Sequence, residues 1–380
     1  MASMTKPSVA DRGLIFQAPR GDECAAAAFP SVCAFPGGRW LCGFRAAPRK
    51  KDSFPQKVLL TWSDDAGRTW RAPVAPFPVP DIDGRRGSYR TVGLTTTGPA
   101  QAVAVLYWVD SSIPARPFFN EKTEGLLDSR IFLSQTDDAG ETWSEPRRVD
   151  TGPFTMPTPA TGPLLVLKNG EWAVQFETNK SYDDPAPWVH SSVLIFSADR
   201  GRTWPRRIKV SEDPTGRMYY WDQRPAVLAD GGLIDFFWTF DRVAEKYLNL
   251  HVRTSADQGR TWSPLREIPV PGQAATPVGL PGGRVILPYM DRTEAPLLKA
   301  RVSPDNGLTW PAETDLIVDD TVAVYQQQAR ASMQETWSDM FKFSIGFPGA
   351  CALNEREVLL VYYAGFEADH TGIRWARIEV

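Results

Sequence analysis

The sequence predicts an all-β protein: a six-bladed β-propeller of four-stranded antiparallel blades, formed by residues 1–380 as a single domain. Three observations lead to this fold. A turn motif recurs five times, apolar strands flank each copy, and the composition is rich in turn residues, with 33 Pro and 29 Gly among 380 residues. Recurrence at blade-like spacing indicates a repeat architecture rather than several independent domains. No long helix is expected, because no stretch sustains a helical apolar period.

The repeated motif is an Asp-Gly turn followed by Thr-Trp, with the pattern [ST]-x-D-x-G-x-T-W. Its copies are Ser63–Trp70, Thr136–Trp143, Ser197–Trp204, Ser255–Trp262 and Ser303–Trp310. The Asp carboxylate can accept backbone N–H groups of the turn, the Gly supplies a positive φ, and the Trp can pack between neighbouring sheets. Each turn offers too few oxygens for calcium, which takes about six to eight, so we interpret the motif as structural.

Each copy lies between two predicted strands and follows a hairpin that is turned by glycine. Strand 193–196 precedes the third copy and strand 206–210 follows it, which gives four strands per blade. The last blade lacks the motif because the chain ends on its third strand, residues 372–380. Residues 13–17 are expected to supply the missing strand, and this closure by an N-terminal strand would protect the sheet edges.

Composition and charge disfavour several classes of protein. The chain has 42 Lys+Arg and 45 Asp+Glu, a formal net charge of -3, and no basic stripe for phosphates, so no nucleic-acid partner is expected. No apolar run approaches the ~20 residues of a membrane span, and the N-terminus lacks the apolar core of a signal peptide; we therefore expect no membrane partner and a cytoplasmic location. The four cysteines form no CxxC pair and only three histidines are present. We expect buried free thiols, no metal and no cofactor.

The five motif copies and the strand SVCAFPGGRWLCGFR at residues 31–45 resemble the exo-sialidase (BNR/Asp-box) superfamily over nearly the whole chain. The resemblance implies a carbohydrate substrate. Such sialidases bind the substrate carboxylate with three arginines and use a Tyr–Glu pair as nucleophile, with an Asp as acid/base. The same propeller also hosts other glycosidases, polysaccharide lyases and binding proteins, so the resemblance specifies the fold more closely than the activity.

Several positions differ from the family pattern. Ala28 stands where the first arginine is expected, and Phe347 stands where the nucleophilic Tyr is expected. The strand end expected to carry the second arginine also lacks one. The resemblance places Asp52 at the acid/base position, Asp222 at the position of the activating Glu, and Arg292 at that of the third arginine. Hydrolysis of sialic acid by the complete family mechanism is therefore not expected.

Charged and aromatic residues are predicted to converge around the central funnel, where inner strands begin and second strands end. The candidate general acid is Asp52, and Asp222 or Glu177 is the candidate base or nucleophile partner. Arginine forks bind carboxylates, and aromatic rings pack against sugar faces. The candidate substrate-binding residues are Arg45, Arg90, Arg224, Arg292, Tyr220 and Trp221.

The sequence therefore predicts a sialidase-like glycoside hydrolase, an exo-glycosidase that acts on a terminal, acidic sugar of a glycan without the complete sialidase residue set. Two alternatives stay open. One is a non-catalytic propeller that binds glycans or protein, which the differences at Ala28 and Phe347 favour. The other is a polysaccharide lyase, for which His190 is a candidate base. The sugar, its linkage, the stereochemical outcome and the oligomeric state also stay open.

Overall fold

The computed structural model describes residues 6–155, 157–160, 162–321 and 341–380. Over these residues the protein is an all-β propeller of four-stranded antiparallel blades. Two short 3₁₀ helices, Pro281–Gly283 and Ala312–Thr314, are the only helices in the described ranges. None of the helices described is long and apolar enough to cross a membrane.

The strands fall into groups along the chain. The N-terminal group is β1 (Ser8–Phe16), β2 (Ala26–Ala34), β3 (Trp40–Ala47) and β4 (Lys57–Ser63). The next two sheets are β5 (Gly87–Thr96), β6 (Ala102–Asp110), β7 (Ser129–Thr136) and β8 (Arg147–Arg148), then β9 (Leu165–Val166), β10 (Trp172–Thr178), β11 (Ser191–Ser197) and β12 (Arg206–Glu212). The following two sheets are β13 (Met218–Val227), β14 (Leu233–Asp241), β15 (Lys246–Tyr247), β16 (His251–Ser255) and β17 (Arg266–Glu267), then β18 (Gln273–Ala274), β19 (Val278–Leu280), β20 (Arg284–Asp291), β21 (Leu297–Ser303) and β22 (Leu316–Asp319). The C-terminal group is β23 (Ile345–Ala352), β24 (Glu357–Glu367) and β25 (His370–Glu379).

The N-terminal strand closes the last blade, as the sequence predicts. Strand β1 pairs antiparallel with β25 from Ser8 opposite Glu379 to Phe16 opposite Ile373. Strand β25 continues antiparallel to β24, and β24 to β23. The first and last strands of the chain thus lie in one sheet, so the edge of β25 is covered by the chain's own N-terminus.

The expectation of six separate four-stranded sheets needs correction, because the strands form five hydrogen-bonded sheets. One parallel pair, Ala26 opposite Thr371, joins β25 to β2 and merges the N-terminal and C-terminal groups into seven strands. The outer strand beyond β4 is also reduced to an isolated bridge between Leu60 and Val74. The segment around this bridge is rich in proline, Pro76 for example, and proline cannot donate to a sheet ladder.

The five repeated turns share one hydrogen-bond pattern. In the first copy Asp65 accepts bonds from the Thr69 amide at 2.9 Å, from the Thr69 hydroxyl at 2.7 Å and from the Ser63 hydroxyl at 2.8 Å. The same three bonds recur around Asp138, Asp199, Asp257 and Asp305. Each carboxylate is thus satisfied within its own turn, in agreement with the structural interpretation of the motif.

The motif tryptophans pack against separate apolar clusters between sheets, as predicted. Trp204 and Trp310 are 3% exposed, and Trp310 meets the ring of Phe236 edge-on at 5.5 Å. The indole N–H of Trp310 donates to the Gly307 carbonyl at 3.1 Å, so the ring is buried without losing its bond. The four cysteines are free thiols; three are buried and Cys351 is half-buried.

The repeated turns predict an acid-sensitive stability. Bonds from the Thr69 amide, the Thr69 hydroxyl and the Ser63 hydroxyl favour the charged carboxylate and lower the pKa of Asp65 from 3.8 to about 2. The stability contributed by Asp65 is therefore present above the unfolded-state pKa and is lost as the pH falls from about 4 toward about 2. We expect Asp65→Asn to lower the melting temperature at neutral pH and to reduce its fall in acid, as measured by calorimetry. The control is Asp137→Asn, which changes an exposed carboxylate beside Asp138 in the second turn and should leave the melting temperature as in the wild type. An acid profile of Asp65→Asn that matches the wild type would contradict the assignment.

Candidate functional site

Four blades carry a β-bulge in their first strand. The register shifts between Ala28 and Ser31 in β2, between Tyr89 and Thr91 in β5, between Trp221 and Arg224 in β13, and between Gly346 and Gly349 in β23. The residues inside these bulges that line a common cavity are Phe29, Arg90, Asp222 and Phe347. Bulges re-aim side chains and are common next to active sites, so they define the candidate site here.

Three of these bulge residues adopt a left-handed backbone. The φ angles are 53° for Phe29, 53° for Asp222 and 48° for Phe347. Such values are outliers for bulky side chains and persist only where the surrounding structure imposes them. In two of the bulges a Phe-Pro pair, Phe29-Pro30 and Phe347-Pro348, marks the position in the sequence. This repeated pair is a signal that could have located the site from the sequence.

The cavity has a volume of about 90 Å³ and lies at the meeting point of the bulges. It brings together four of the predicted site residues, Arg90, Glu177, Trp221 and Asp222. Its remaining lining residues, beyond those four and the two bulge phenylalanines, are Thr91, Tyr107, Phe118, Pro159, Ala160, Trp238 and Gln273. Two carboxyl groups and one arginine therefore share a pocket with aromatic walls, which is the composition typical of a small-molecule site.

Asp222 is held by two polar partners. The Arg224 guanidinium lies 2.6 Å from its Oδ1, and the Gln273 side-chain amide donates to its Oδ2 at 2.5 Å. Burial raises the pKa of the Asp222 carboxyl above its ordinary value; the positive charge of Arg224 opposes this rise and the negative charge of Glu177 adds to it. A carboxyl with a raised pKa beside a second carboxylate can act as a proton donor.

The Glu177 carboxylate contacts one residue of the neighbouring sheet and one residue next to its own sheet. Its Oε1 accepts the backbone N–H of Gln223 at 3.1 Å, and its Oε2 lies 3.5 Å from Nε2 of His190. The side chains of Glu177 and His190 are 7% and 1% exposed. The side-chain amide of Gln223 donates to the backbone carbonyls of Phe176 and Val193, and so links β13 to the sheet that carries Glu177. These contacts fix the position of the Glu177 carboxylate at the edge of the cavity.

Arg90 is a buried cation in the same cavity. Its side chain is 6% exposed, and its guanidinium carbon lies 4.2 Å from the ring centre of Phe118 and 5.4 Å from that of Phe29. Burial lowers the pKa of Arg90 to about 10. Its Nη1 has no hydrogen-bond partner in the described part of the chain. An anionic group entering the cavity would supply that partner.

The structure places Arg45 and Asp52 outside the lining of this cavity. Arg45 is fully buried and donates to Gln56 at 2.6 Å and to the backbone carbonyl of Asp52. The Asp52 carboxylate pairs with Arg49 at 3.0 Å. Burial and the nearby charge of Arg90 lower the pKa of Arg45 well below its ordinary value. Substrate binding by Arg45 and acid catalysis by Asp52 stay predictions.

Arg224 and Arg292 do not line the cavity, but each contacts a residue that does. Arg224 pairs with Asp222 and lies 4.7 Å from the ring centre of Phe347. Arg292 donates to Oε1 of Gln273 at 2.9 Å, so it reaches the cavity through that amide. The structure thus groups both arginines around the Asp222 carboxylate and its hydrogen-bond partner.

Tyr220 faces away from the cavity, whereas its neighbour Trp221 lines it. Successive residues of a strand point to opposite faces, and the Tyr220 ring packs against Phe237 and His251 instead. Trp221 stacks on its strand partner Trp238, with ring centres 5.0 Å apart and planes inclined by 5°. A sugar contact by Tyr220 stays a prediction that this orientation does not favour.

Three further residues at or beside the cavity, Trp238, Tyr247 and Gln273, were not predicted from the sequence. Trp238 stacks on Tyr247 at 4.5 Å and 14°, which extends the aromatic wall begun by Trp221. Trp238 stands on the second strand of its blade, opposite Trp221, so cross-strand pairing of two aromatic residues was the available signal. Gln273 had no such signal, because its position depends on long-range contacts with Asp222 on β13 and with Arg292 after β20.

Comparison with known families gives a match to the BNR repeat-like domain over residues 116–321. A sialidase of Micromonospora viridifaciens is 25% identical over an alignment of 304 residues, which covers 70% of this chain and 45% of that protein. The chain therefore spans less than half the length of that relative. The matched region of the family contains four of the five repeated turns.

Solved structures share the propeller. A protein of unknown function from Dyadobacter fermentans has a TM-score of 0.74 at 19% identity, with 99% of this chain and 100% of that chain covered. The Hadza microbial sialidase Hz136 has a TM-score of 0.65 at 17% identity, with 94% and 66% covered. At these identities the similarity shows the fold alone.

Proposed function

This chain belongs to the BNR repeat-like domain family, as a divergent member of the sialidase-like superfamily, and from this premise we propose that it is a glycoside hydrolase acting on a terminal, acidic sugar of a glycan. One observation carries the proposal. Glu177, Asp222 and the buried cation Arg90 line the same cavity. Glycosidases use a pair of carboxyl groups, and an acidic sugar needs a cation to hold its carboxylate.

In the proposed reaction Asp222 is the general acid. It donates its proton to the glycosidic oxygen as the bond between that oxygen and the anomeric carbon breaks. Glu177 either takes a proton from the water whose oxygen bonds to the anomeric carbon, or bonds to that carbon itself and is then released by water. Arg90 binds the substrate carboxylate and so orients the sugar. This assignment uses two carboxyl groups in place of the superfamily's Tyr–Glu pair, since the resemblance matches Phe347 to the Tyr position.

The first test is a thermal-shift screen against free sialic acid, glucuronate, galacturonate, rhamnose and fucose. Binding to the native form stabilises it by mass action, so an acidic sugar is expected to raise the melting temperature and the neutral sugars are not. Glycosides of the responding sugar are then tested for release of the free sugar. Stabilisation by neutral sugars only would contradict the proposal. Binding without release would favour a non-catalytic glycan-binding propeller, and an unsaturated uronate product would favour a lyase.

We also propose that the ring contains six blades. The seven-stranded sheet divides at its one parallel pair into an N-terminal unit of β2–β4 and a C-terminal unit of β23–β25 with β1. With the four other sheets these two units make six, which supports the count expected from the sequence.

A further inference from the structure

We propose that a small inorganic anion, chloride, binds between the buried guanidinium groups of Arg45 and Arg90, beside the candidate site. The inference does not depend on the proposed glycoside hydrolase function, because it follows from charges that the fold leaves unbalanced. It assigns a ligand to Arg45, which does not line the cavity. The bound anion would balance charge inside the propeller.

Three buried cations near β3 and β5 lack a carboxylate partner. Arg45 is 0% exposed, Lys50 is 1% exposed and Arg90 is 6% exposed. Within the described ranges, no Asp or Glu forms an ion pair with any of the three. Arg301, which is also 6% exposed, shows the usual arrangement, since the Asp315 carboxylate lies 2.6 Å from its Nε. Because removing an ion from water is costly, buried charges are usually paired, and this group of cations lacks its counter-charge.

Two nitrogen atoms of the cluster lack an acceptor. The Nη1 atoms of Arg45 and Arg90 are both buried and have no hydrogen-bond partner in the described part of the chain. The other nitrogens of Arg45 are occupied, since Nε donates to Gln56 at 2.6 Å and Nη2 donates to the backbone carbonyl of Asp52. A buried charged donor without an acceptor is unfavourable, so an acceptor is expected at these two Nη1 atoms.

A chain of hydrogen bonds connects the two arginines. Gln56 accepts from Arg45 and donates to the hydroxyl of Ser88 at 2.8 Å. Ser88 precedes Arg90 by two residues on β5. Burial lowers the pKa of Arg45, and the positive charge of Arg90 lowers it further, as expected for like charges that lie close together. An anion between the two guanidinium groups would replace this repulsion by two attractions.

The ligand has to be small. Arg45 is fully buried and lies outside the lining of the cavity, so a sugar in the cavity does not reach it. The rings of Phe29 and Phe118, which pack on Arg90, offer no oxygen acceptor. A monatomic anion accepts N–H groups from any direction and needs no further polar partner. Arg90 has five N–H donors, so it can hold the anion on one edge and present the other edge to a carboxylate in the cavity.

The test is calorimetric melting of the full chain at constant ionic strength, with sodium chloride replacing sodium methanesulfonate, whose anion is too large for the enclosed site. Binding to the native form stabilises it by mass action, so about 200 mM chloride is expected to raise the melting temperature by at least about 2 °C. Arg45→Met removes one of the two donors and is expected to lose this response. Arg148→Met, at an exposed position on β8, is the control and should keep it. The stabilities of Arg45 and Arg90 variants are compared with the wild type in chloride-free buffer.

A second measurement locates the anion in the wild type, which keeps the test valid if Arg45→Met fails to fold. In crystals grown in sodium bromide, anomalous scattering is expected to place one bromide in contact with the Nη1 atoms of both Arg45 and Arg90. Equal melting temperatures in chloride and methanesulfonate, or a chloride response that survives in Arg45→Met, would overturn the inference. Bromide found only at other positions would mean an adventitious ion only and would overturn it as well.

Discussion

Asp222→Asn is expected to lower kcat by about 10²–10⁴-fold, the usual contribution of a positioned general acid. The amide keeps the shape of the carboxyl group but cannot donate the proton that the leaving oxygen requires. The measurement is steady-state kinetics on a chromogenic glycoside of the sugar that gives the largest thermal shift. Because a good chromogenic leaving group needs less protonation, a natural disaccharide substrate should show the larger loss.

The pH dependence tests the same role. Burial raises the pKa of Asp222, so the acid form survives to a higher pH than it would in an exposed carboxyl. Activity of the wild type should fall on the alkaline side as this proton is lost, and that limb should disappear in Asp222→Asn. Asp52→Asn is the matched control: a loss as large as this in Asp52→Asn, with Asp222→Asn active, would return the acid role to Asp52.

The fold was largely predictable because its main signal is local. In each repeated turn the hydrogen-bond donors to the Asp lie within four residues of it, as Ser63 and Thr69 do for Asp65. The motif can therefore be recognised without knowledge of the rest of the chain. The closing strand followed from a count of strands in the last blade. The number of sheets did not follow, since the pair of Ala26 and Thr371 joins residues that are far apart in the sequence and belong to two otherwise separate units.

The site was only partly predictable, because bulges decide which residues of a strand face the cavity. Arg90 and Asp222, which were predicted at strand starts, line the cavity from bulges inside β5 and β13. The alternation of side chains along a strand does not show whether Tyr220 or Trp221 faces the cavity, because the pairing of β13 with β14 shifts register immediately after Trp221. Phe347 was considered only as a replacement for the family Tyr, and Phe29 was not considered at all, although both residues line the cavity.

The partner of each charge was also hidden from the sequence. Arg45 and Arg90 have the same chemistry and similar predicted placement at the funnel. In the structure Arg45 donates to Gln56 and to a backbone carbonyl, whereas Arg90 lies between two phenylalanine rings in the cavity. Only long-range packing distinguishes the arginine that lines the cavity from the one that does not.

Arg90→Met is expected to have opposite effects on binding and on stability. Loss of the buried cation removes a charge-assisted contact to the sugar carboxylate, so affinity for the acidic sugar should fall by about 2 kcal/mol or more, which is about 30-fold. The free protein should become more stable by about 1 kcal/mol, because a long apolar side chain replaces a buried guanidinium whose desolvation is only partly offset by two aromatic rings. Calorimetric titration and denaturant unfolding measure the two changes.

The opposite signs make this substitution informative about function. A cation kept buried for structural reasons would be stabilising, so its removal would destabilise the fold and affect binding only through that loss. Arg90→Lys retains the charge but not the bidentate fork, and it should keep part of the affinity. Arg148→Met, at an exposed position on β8, should change neither quantity. If Arg90→Met were less stable than the wild type and bound the acidic sugar normally, Arg90 would be a packing residue, and the acidic sugar would need another cation. A stable variant that no longer binds would instead fit a site in which stability is given up for ligand recognition.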